Sequence, residues 1–388
     1  MLLRDSASAL SRLITWQSGR EHLPLTDLLI AAHRDIKGRE PSATDVASWN
    51  KSIPFVVNAL VDSGLEKVEV LVEFDLPHTN SPVDLVLCGE RPTGGDPSYV
   101  AVELKQVRHA TVHPECSVAV DLGYTEHGST KYKLHPVRQV QRYCEFMTRY
   151  LGTLHGNPES LVGAALLHNA RDGHVDALFG LPQTHFGRLY TLDDLEPFRR
   201  MLTSRLAAAS GGEAAQRLIR AKEKPLDKIT DIARHATVEG HGLTLLNEQS
   251  MVFDSVCATV RRAVTNGPAE PKRVFIIRGG PGSGKSAVAL ELRRVLAQEG
   301  YGTALASGSS AYTHTLRDVM TGSARRGEVT RMKKASVRAF PFFNSFTDEE
   351  PDALDVLICD EAHRIRKTST NQWTSSRPAR QSARRRRN

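Results

Sequence analysis

Apolar residues in the first half of the chain recur in short Val- and Leu-rich runs. "KVEVLVEFDL" (67–76), "VDLVLCG" (83–89) and "YVAVELKQV" (99–107) are separated by Pro, Gly and Asn, and each predicts a strand. Ahead of them, "VASWNKSIPFVVNALVDSGL" (46–65) has helical spacing, interrupted at Pro54 and ended by a glycine. After a polar stretch, "HPVRQVQRYCEFMTRYLG" (135–152) is an amphipathic helix with Pro near its first turn. "LVGAALLHNA" (161–170) then reads as a further buried strand, so the order is α-β-β-β-α-β.

The second half has a different rhythm. Residues 204–242 carry Gly-Gly, charge and little strand signal, and read as a helical connector. A helix is expected over 247–265. In "KRVFIIRGGPGSGKSAVALELRRVLAQEGYGTALASG" the pattern predicts a strand, a glycine loop, a helix ending near Gly300 and a second strand. "DALDVLICDE" is the third. The expected organisation is a helical segment (1–45), an α/β domain (46–203), the connector (204–242), a second α/β lobe (243–373) and a basic tail (374–388).

Composition narrows the class. The chain has 388 residues, 40% hydrophobic and 24% charged, as in an ordinary globular protein. The formal charge is +7, but nine Lys or Arg and no acid lie from Arg364 onward, so the rest carries −2. The high pI of 9.2 therefore reports the tail rather than a basic face. The five cysteines form no CxxC pair, which fits reduced thiols. His109, His113 and Cys116 lie close together in what reads as a loop, and ordinary solvated side chains account for them. With no signal peptide and no span of roughly 20 apolar residues, the expected location is the cytoplasm, away from membranes.

Charge inside one strand changes the picture. Glu103 and Lys105 are two apart, so they share a strand face that would otherwise be apolar. Asp84, also between apolar neighbours, would come beside Glu103 if the two strands pair as a hairpin. Close carboxylates repel and are best stabilised by a divalent cation, Mg²⁺ or Mn²⁺ for oxygen ligands. A metal with an ammonium beside it suits phosphodiester hydrolysis. The competing reading is an edge hairpin with solvated charges.

A second motif is more specific. Gly279, Gly280, Pro281, Gly282, Ser283, Gly284, Lys285 and Ser286 match G-x(4)-G-K-[ST] in full, between an apolar strand and an amphipathic helix. Backbone N–H groups would wrap the phosphates of ATP, Lys285 would reach the β and γ phosphates, and Ser286 would ligate Mg²⁺. Asp360, ending an apolar strand, would hold the same metal, and Glu361 would polarise the attacking water. Gln249, at the start of a helix, is a candidate for reading adenine.

Asp84-x(18)-Glu103-Leu104-Lys105 in an αβββαβ order resembles the PD-(D/E)xK nuclease fold. Gln139 and Tyr143, i and i+4 on the next helix, look like the QxxxY element of RecB-type members. The resemblance implies a restriction-endonuclease-like domain with Asp84 and Glu103 as metal ligands, and Lys105, Gln139 and Tyr143 in the catalytic set. An acid expected on the first helix has two candidates, Asp62 and, on the first strand, Glu73. "LLNEQ", "GGPGSGKSAVAL", "ASGSSAYTHTLRDVM", "FFNSF" and "DEAHRIRK" together resemble the Schlafen group 3-like DNA/RNA helicase domain. That implies a RecA-like P-loop NTPase lobe whose partner is nucleic acid, with DNA expected over RNA.

"DEAH" lies close to the C-terminus, so a lobe of this kind would be only partial here. The expectation is a truncated motor that binds ATP without full helicase activity, and "TSSRPARQSARRRRN" reads as an out-of-frame or degraded end. Two alternatives stay open: a non-catalytic ATP-binding remnant, and a P-loop regulatory ATPase whose N-terminal domain is purely structural.

Overall fold

The computed structural model describes residues 1–16, 21–77, 82–114, 116–123, 125–126, 129–130, 132–224, 242–243, 245, 247–266, 272–322, 329–347, 350 and 352–365. The chain forms two units, one from residues 1–226 and 244–271, the other from 227–243 and 272–388. Residues 225–241 of the expected connector and the whole expected tail lie outside the described residues.

In the first unit, β1 (Leu3–Ser6), β2 (Glu69–Asp75), β3 (Pro82–Glu90), β4 (Pro97–Leu104), β10 (Leu161–Leu167) and β11 (Arg188–Thr191) form one mixed sheet in the order β1-β2-β3-β4-β10-β11. The first four strands are antiparallel, and β10 and β11 run parallel to β4. Helices α1 (Ala7–Leu13), α2 (Pro24–Lys37), α3 (Ala43–Asp62) and α5 (Leu195–Arg205) share a core with one sheet face, through Leu10, Leu29, Ile53 and Phe198. Helices α4 (Pro136–Tyr150) and α6 (Gly212–Ile219) pack on the other, through Val140, Met147 and Leu218. Coverage of both faces is why the strands are apolar nearly throughout rather than alternating.

Two elements depart from expectation. Residues 1–45 include an edge strand, β1, whose four residues carry no pattern of their own and are ordered by pairing to β2. Helix α3 runs through Pro54 without a break. A capping box between Ser42 and Asp45 fixes its start, and burial of Ile53, Val56, Val57 and Leu60 outweighs the one backbone hydrogen bond that proline removes.

The stretch between β4 and α4 is not all loop. β5 (Thr111–His113), β6 (Cys116–Asp121) and β9 (Lys133–Leu134) form a small antiparallel sheet, with a hairpin of β7 (Thr125–Glu126) and β8 (Ser129–Thr130) between them. Helix α7 (Asn247–Asn266), expected to open the second lobe, packs against β6 and β9 of the first unit instead. Arg138 on α4 donates to Asp254 at 3.1 Å, and Arg142 to Ser250 at 3.0 Å.

In the second unit, β12 (Thr303–Ser307) lies parallel to β13 (Val356–Asp360), flanked by α8 (Lys285–Gln298), α9 (Ser310–Gly322) and α10 (Val329–Ala339). Leu290, Leu305, Leu316 and Phe340 form its core. The strand expected over "KRVFII" is not formed: residues 272–280 have no regular structure, and Val274 and Ile276 are 85% and 75% exposed. An apolar run becomes a buried strand only with a neighbouring strand to pair with. Among the described residues, β12 and β13 pair with each other and not with 272–280.

Helix α4 is seated by close backbone approach. A Cβ on Gly163 would lie 2.0 Å from the Phe186 carbonyl oxygen and 3.0 Å from Cys144 Sγ. Gly163→Ala should therefore cost about 1–3 kcal/mol or more through overpacking, read as a lowered thermal midpoint. Gly180→Ala, whose Cβ meets nothing within 4 Å, should leave the midpoint unchanged.

Candidate functional site

The β2–β3 ladder passes from Val72↔Leu85 to Phe74↔Val83, which puts Glu73 opposite Asp84. The β3–β4 ladder reaches Leu85↔Val102, and the next step sets Asp84 opposite Glu103. Glu103 in turn pairs with Ala165 of β10. Three carboxylates thus occupy successive cross-strand positions, an arrangement of like charges that destabilises a sheet unless it is compensated.

The compensation is partial. Lys105 Nζ lies 2.5 Å from Glu103 Oε1, while Glu103 Oε2 is buried without a hydrogen-bond partner. Asp84 Oδ2 accepts the Leu104 N–H at 2.7 Å. Glu73 Oε1 accepts the indole N–H of Trp49 at 3.1 Å, and Glu73 sits in the left-handed region at φ 52°, unusual for a non-glycine residue within a strand. Burial, then the charge of Asp84, raises the Glu73 carboxyl to about 7. Burial, then the charge of Glu103, raises Asp84 to about 8, against the pull of Lys105. Burial also raises Glu103, despite Lys105.

Gln139 Nε2 donates to Tyr143 Oη at 2.8 Å on α4. The Tyr143 hydroxyl is raised well above its ordinary range by burial and then by the charges of Glu103 and Asp84, which ties it electrostatically to the same row. The five residues expected in this site fall together, and Glu73 joins them. Asp62 does not: its side chain is 53% exposed and pairs with Arg199. Trp49, not foreseen, buttresses Glu73 through its indole N–H, a role that an aromatic on an amphipathic helix does not signal in the sequence. Among the described residues, no three His, Cys, Asp or Glu side chains already converge as a metal cage.

The glycine loop has its own geometry. Gly282 and Gly284 take φ 74° and 79°, which L side chains rarely adopt. A Cβ on Gly279 would lie 2.6 Å from Ser283 Oγ. Lys285 Nζ donates to the carbonyl oxygens of Gly279 and Gly280 at 2.8 Å each, so the ammonium is held within the glycine loop. Pro281 and Ser283 are exposed or partly exposed along the loop. Ser286 Oγ donates to Asp360 Oδ2 at 3.0 Å, joining the start of α8 to the end of β13. Glu361 follows at φ 55°, with His363 Nδ1 3.3 Å from its Oε2. Gln249 lies on α7, in the first unit. Tyr312 was not foreseen: its hydroxyl is buried without a hydrogen-bond partner and is raised by burial and by the charge of Asp360.

Residues 272–386 match the family model described as Schlafen group 3, DNA/RNA helicase domain. No curated protein and no solved structure matches the chain. The second unit is therefore similar to a domain type associated with nucleic acids. Among the described residues, no helix is long and apolar enough to cross a membrane.

The carboxylate row makes stability depend on pH. A carboxyl with a raised folded-state pKa holds its proton more tightly folded than unfolded, so its stabilisation is present in mild acid and is lost as pH rises. From the ordinary values near 4 to the folded values of about 7 and 8, stability should fall between about pH 4 and pH 8. Asp84→Asn, which keeps an acceptor for the Leu104 N–H, should flatten this slope. Thermal midpoints across pH for both proteins check it, and identical slopes would show that Asp84 is not the group responsible.

Proposed function

We propose that the chain is a nucleic-acid-processing protein that joins a restriction-endonuclease-like, metal-dependent nuclease module to an ATP-binding, RecA-like P-loop lobe. The observation that carries the nuclease reading is the row of Glu73, Asp84 and Glu103, with Glu103 Oε2 buried and unpartnered beside Lys105. A buried oxygen with no donor and neighbouring carboxyls held partly protonated are what a site for a hard divalent cation would leave when considered by itself. Asp84 and Glu103, with Glu73, would hold Mg²⁺ or Mn²⁺. When bound, the cation supplies Lewis-acid polarisation of a phosphodiester and a more acidic water.

The protein's own groups do the remainder. Lys105 places a positive charge at the row's open end, where it would orient the attacking water and meet negative charge developing on the phosphate. Glu103 holds that ammonium in place. Tyr143, oriented by Gln139, borders the carboxylates and limits water access from α4. Trp49 fixes Glu73 in its uncommon backbone conformation.

In the second unit, the loop from Gly279 to Ser286 and the Ser286–Asp360 contact support binding of ATP with Mg²⁺. Lys285 would exchange its carbonyl partners for the β and γ phosphates. Glu361, one residue beyond Asp360, would act on the attacking water. The similarity of residues 272–386 to a DNA/RNA helicase domain supports nucleic acid as the partner, with DNA placed before RNA in this reading.

Labelled single- and double-stranded DNA incubated with the full chain should be cleaved with Mg²⁺ or Mn²⁺ and left intact in EDTA. Asp84→Ala and Lys105→Ala should each lower the rate by about 10² or more. Undiminished cleavage in both variants would overturn the assignment.

Titration with a fluorescent ATP analogue should show Mg²⁺-dependent binding that Lys285→Ala removes. Equal affinity in the variant would remove the loop from the nucleotide site.

A further inference from the structure

Resting on the nucleic-acid reading above, we propose that the outer face of α10, with the aromatic residue that follows it, is a surface for a single nucleic-acid strand. Helix α10 reads "VTRMKKASVRA" and contains no acid. Its inner side packs through Ser336 and Ala339, while Arg331, Lys333, Lys334 and Arg338 are exposed. Arg331, Lys334 and Arg338 are spaced i, i+3, i+7, so they form one row about 10 Å long on a single helix face.

What distinguishes this row is that no described carboxylate answers it. On α4 and α7, Arg138 and Arg142 share Asp254. On α8, Arg294 pairs with Glu291 at 2.5 Å, and on α5 Arg199 pairs with Glu196 at 3.0 Å. The cations of α10 form no ion pair among the described residues. The adjacent α9 brings one acid, Asp318. Three aligned, exposed cations on one helix face repel one another mildly, and a line of phosphates is the ligand whose charge and repeat complement them.

The residue that favours a single strand over a duplex is Phe342, three positions beyond α10. Its ring is partly exposed, with the Arg317 guanidinium 4.5 Å from its centroid and the exposed His314 ring 5.6 Å away at 65°. Arg317 is itself held by the Phe340 carbonyl at 2.8 Å. An aromatic and cationic platform beside a basic row is the combination that lets bases stack while the backbone is tracked electrostatically.

The test is fluorescence anisotropy with the full chain, in EDTA and without nucleotide, so that neither proposed site acts. The probes are labelled oligo-dT and oligo-U of about 20 nucleotides, and a DNA duplex of matched length. Arg331→Glu/Lys334→Glu/Arg338→Glu should weaken oligo-dT binding roughly ten-fold and lower the salt-dependence slope by about 2, from about 0.7 per lost phosphate contact. Phe342→Ala should weaken binding of single strands but not of the duplex, and Arg217→Glu/Arg220→Glu, on α6 and at its C-terminal end, should change neither. If the triple variant melts early, Lys334→Glu and Arg338→Glu singly should each lower the slope by about 0.7. Wild-type binding with unchanged affinity and slope in the α10 variants overturns the surface while leaving nucleic acid as the partner. A wild-type chain that binds none of the probes overturns both.

Discussion

Three acidic side chains in one cross-strand row are the constraint around which the first unit is arranged. Glu73, Asp84 and Glu103 stand on adjacent strands at successive ladder positions. A sheet core normally excludes such a row, since each carboxylate loses water and repels the next. The surroundings reduce that cost without removing it: Trp49 donates to Glu73, the Leu104 N–H to Asp84, and Lys105 to Glu103. What remains appears as carboxyls shifted toward the protonated form and as an oxygen of Glu103 with no donor. Both faces of the sheet are covered by helices, so the row is held in a rigid frame that cannot relax by splaying strands.

Much of this frame is legible in the sequence because both-face burial leaves a plain signal. Strands β2, β3, β4 and β10 are apolar nearly throughout, and the punctuation between them is Pro, Gly and Asn. Asp84, Glu103 and Lys105 are conspicuous because they interrupt those runs. Glu73 is less so: it sits in "LVEFD" as an ordinary exposed alternation would, and its place opposite Asp84 follows from the β2–β3 register. Trp49 is invisible for a similar reason, since an aromatic on an amphipathic helix reads as core whether or not its N–H has a task. The edge strand β1 and the small sheet of β5, β6 and β9 are ordered by pairing partners distant in sequence, which local pattern does not encode.

The second unit shows the opposite failure. "VFII" has the strongest strand signal in that half, yet residues 272–280 have no regular structure, while the weaker "TALAS" forms β12. Thr303 to Ser307 have Val356 to Asp360 alongside, and the apolar residues before the glycine loop have no such partner among the described residues. Periodicity registers what a segment needs, not whether the neighbour is present. The glycine loop is legible in the sequence because its requirements are local: left-handed glycines at 282 and 284 and a lysine at the head of a helix.

Helix α4 shows how one element can serve two demands that its sequence pattern merges. Its hydrophobic residues seat it on the sheet through Val137, Val140 and Met147. Of its polar positions, Gln139 and Tyr143 are paired beside the carboxylate row, while Arg138 and Arg142 hold Asp254 and Ser250 of α7. Arg138 and Arg142 of α4 are thus paired with acids within the protein, whereas the arginines of α10 form no ion pair among the described residues. The acids of the β2–β3–β4 row are likewise only partly neutralised. In the proposed reading, a compact cation would complete the partly neutralised carboxylate row, and an extended polyanion would answer the exposed cations of α10, each within its own unit.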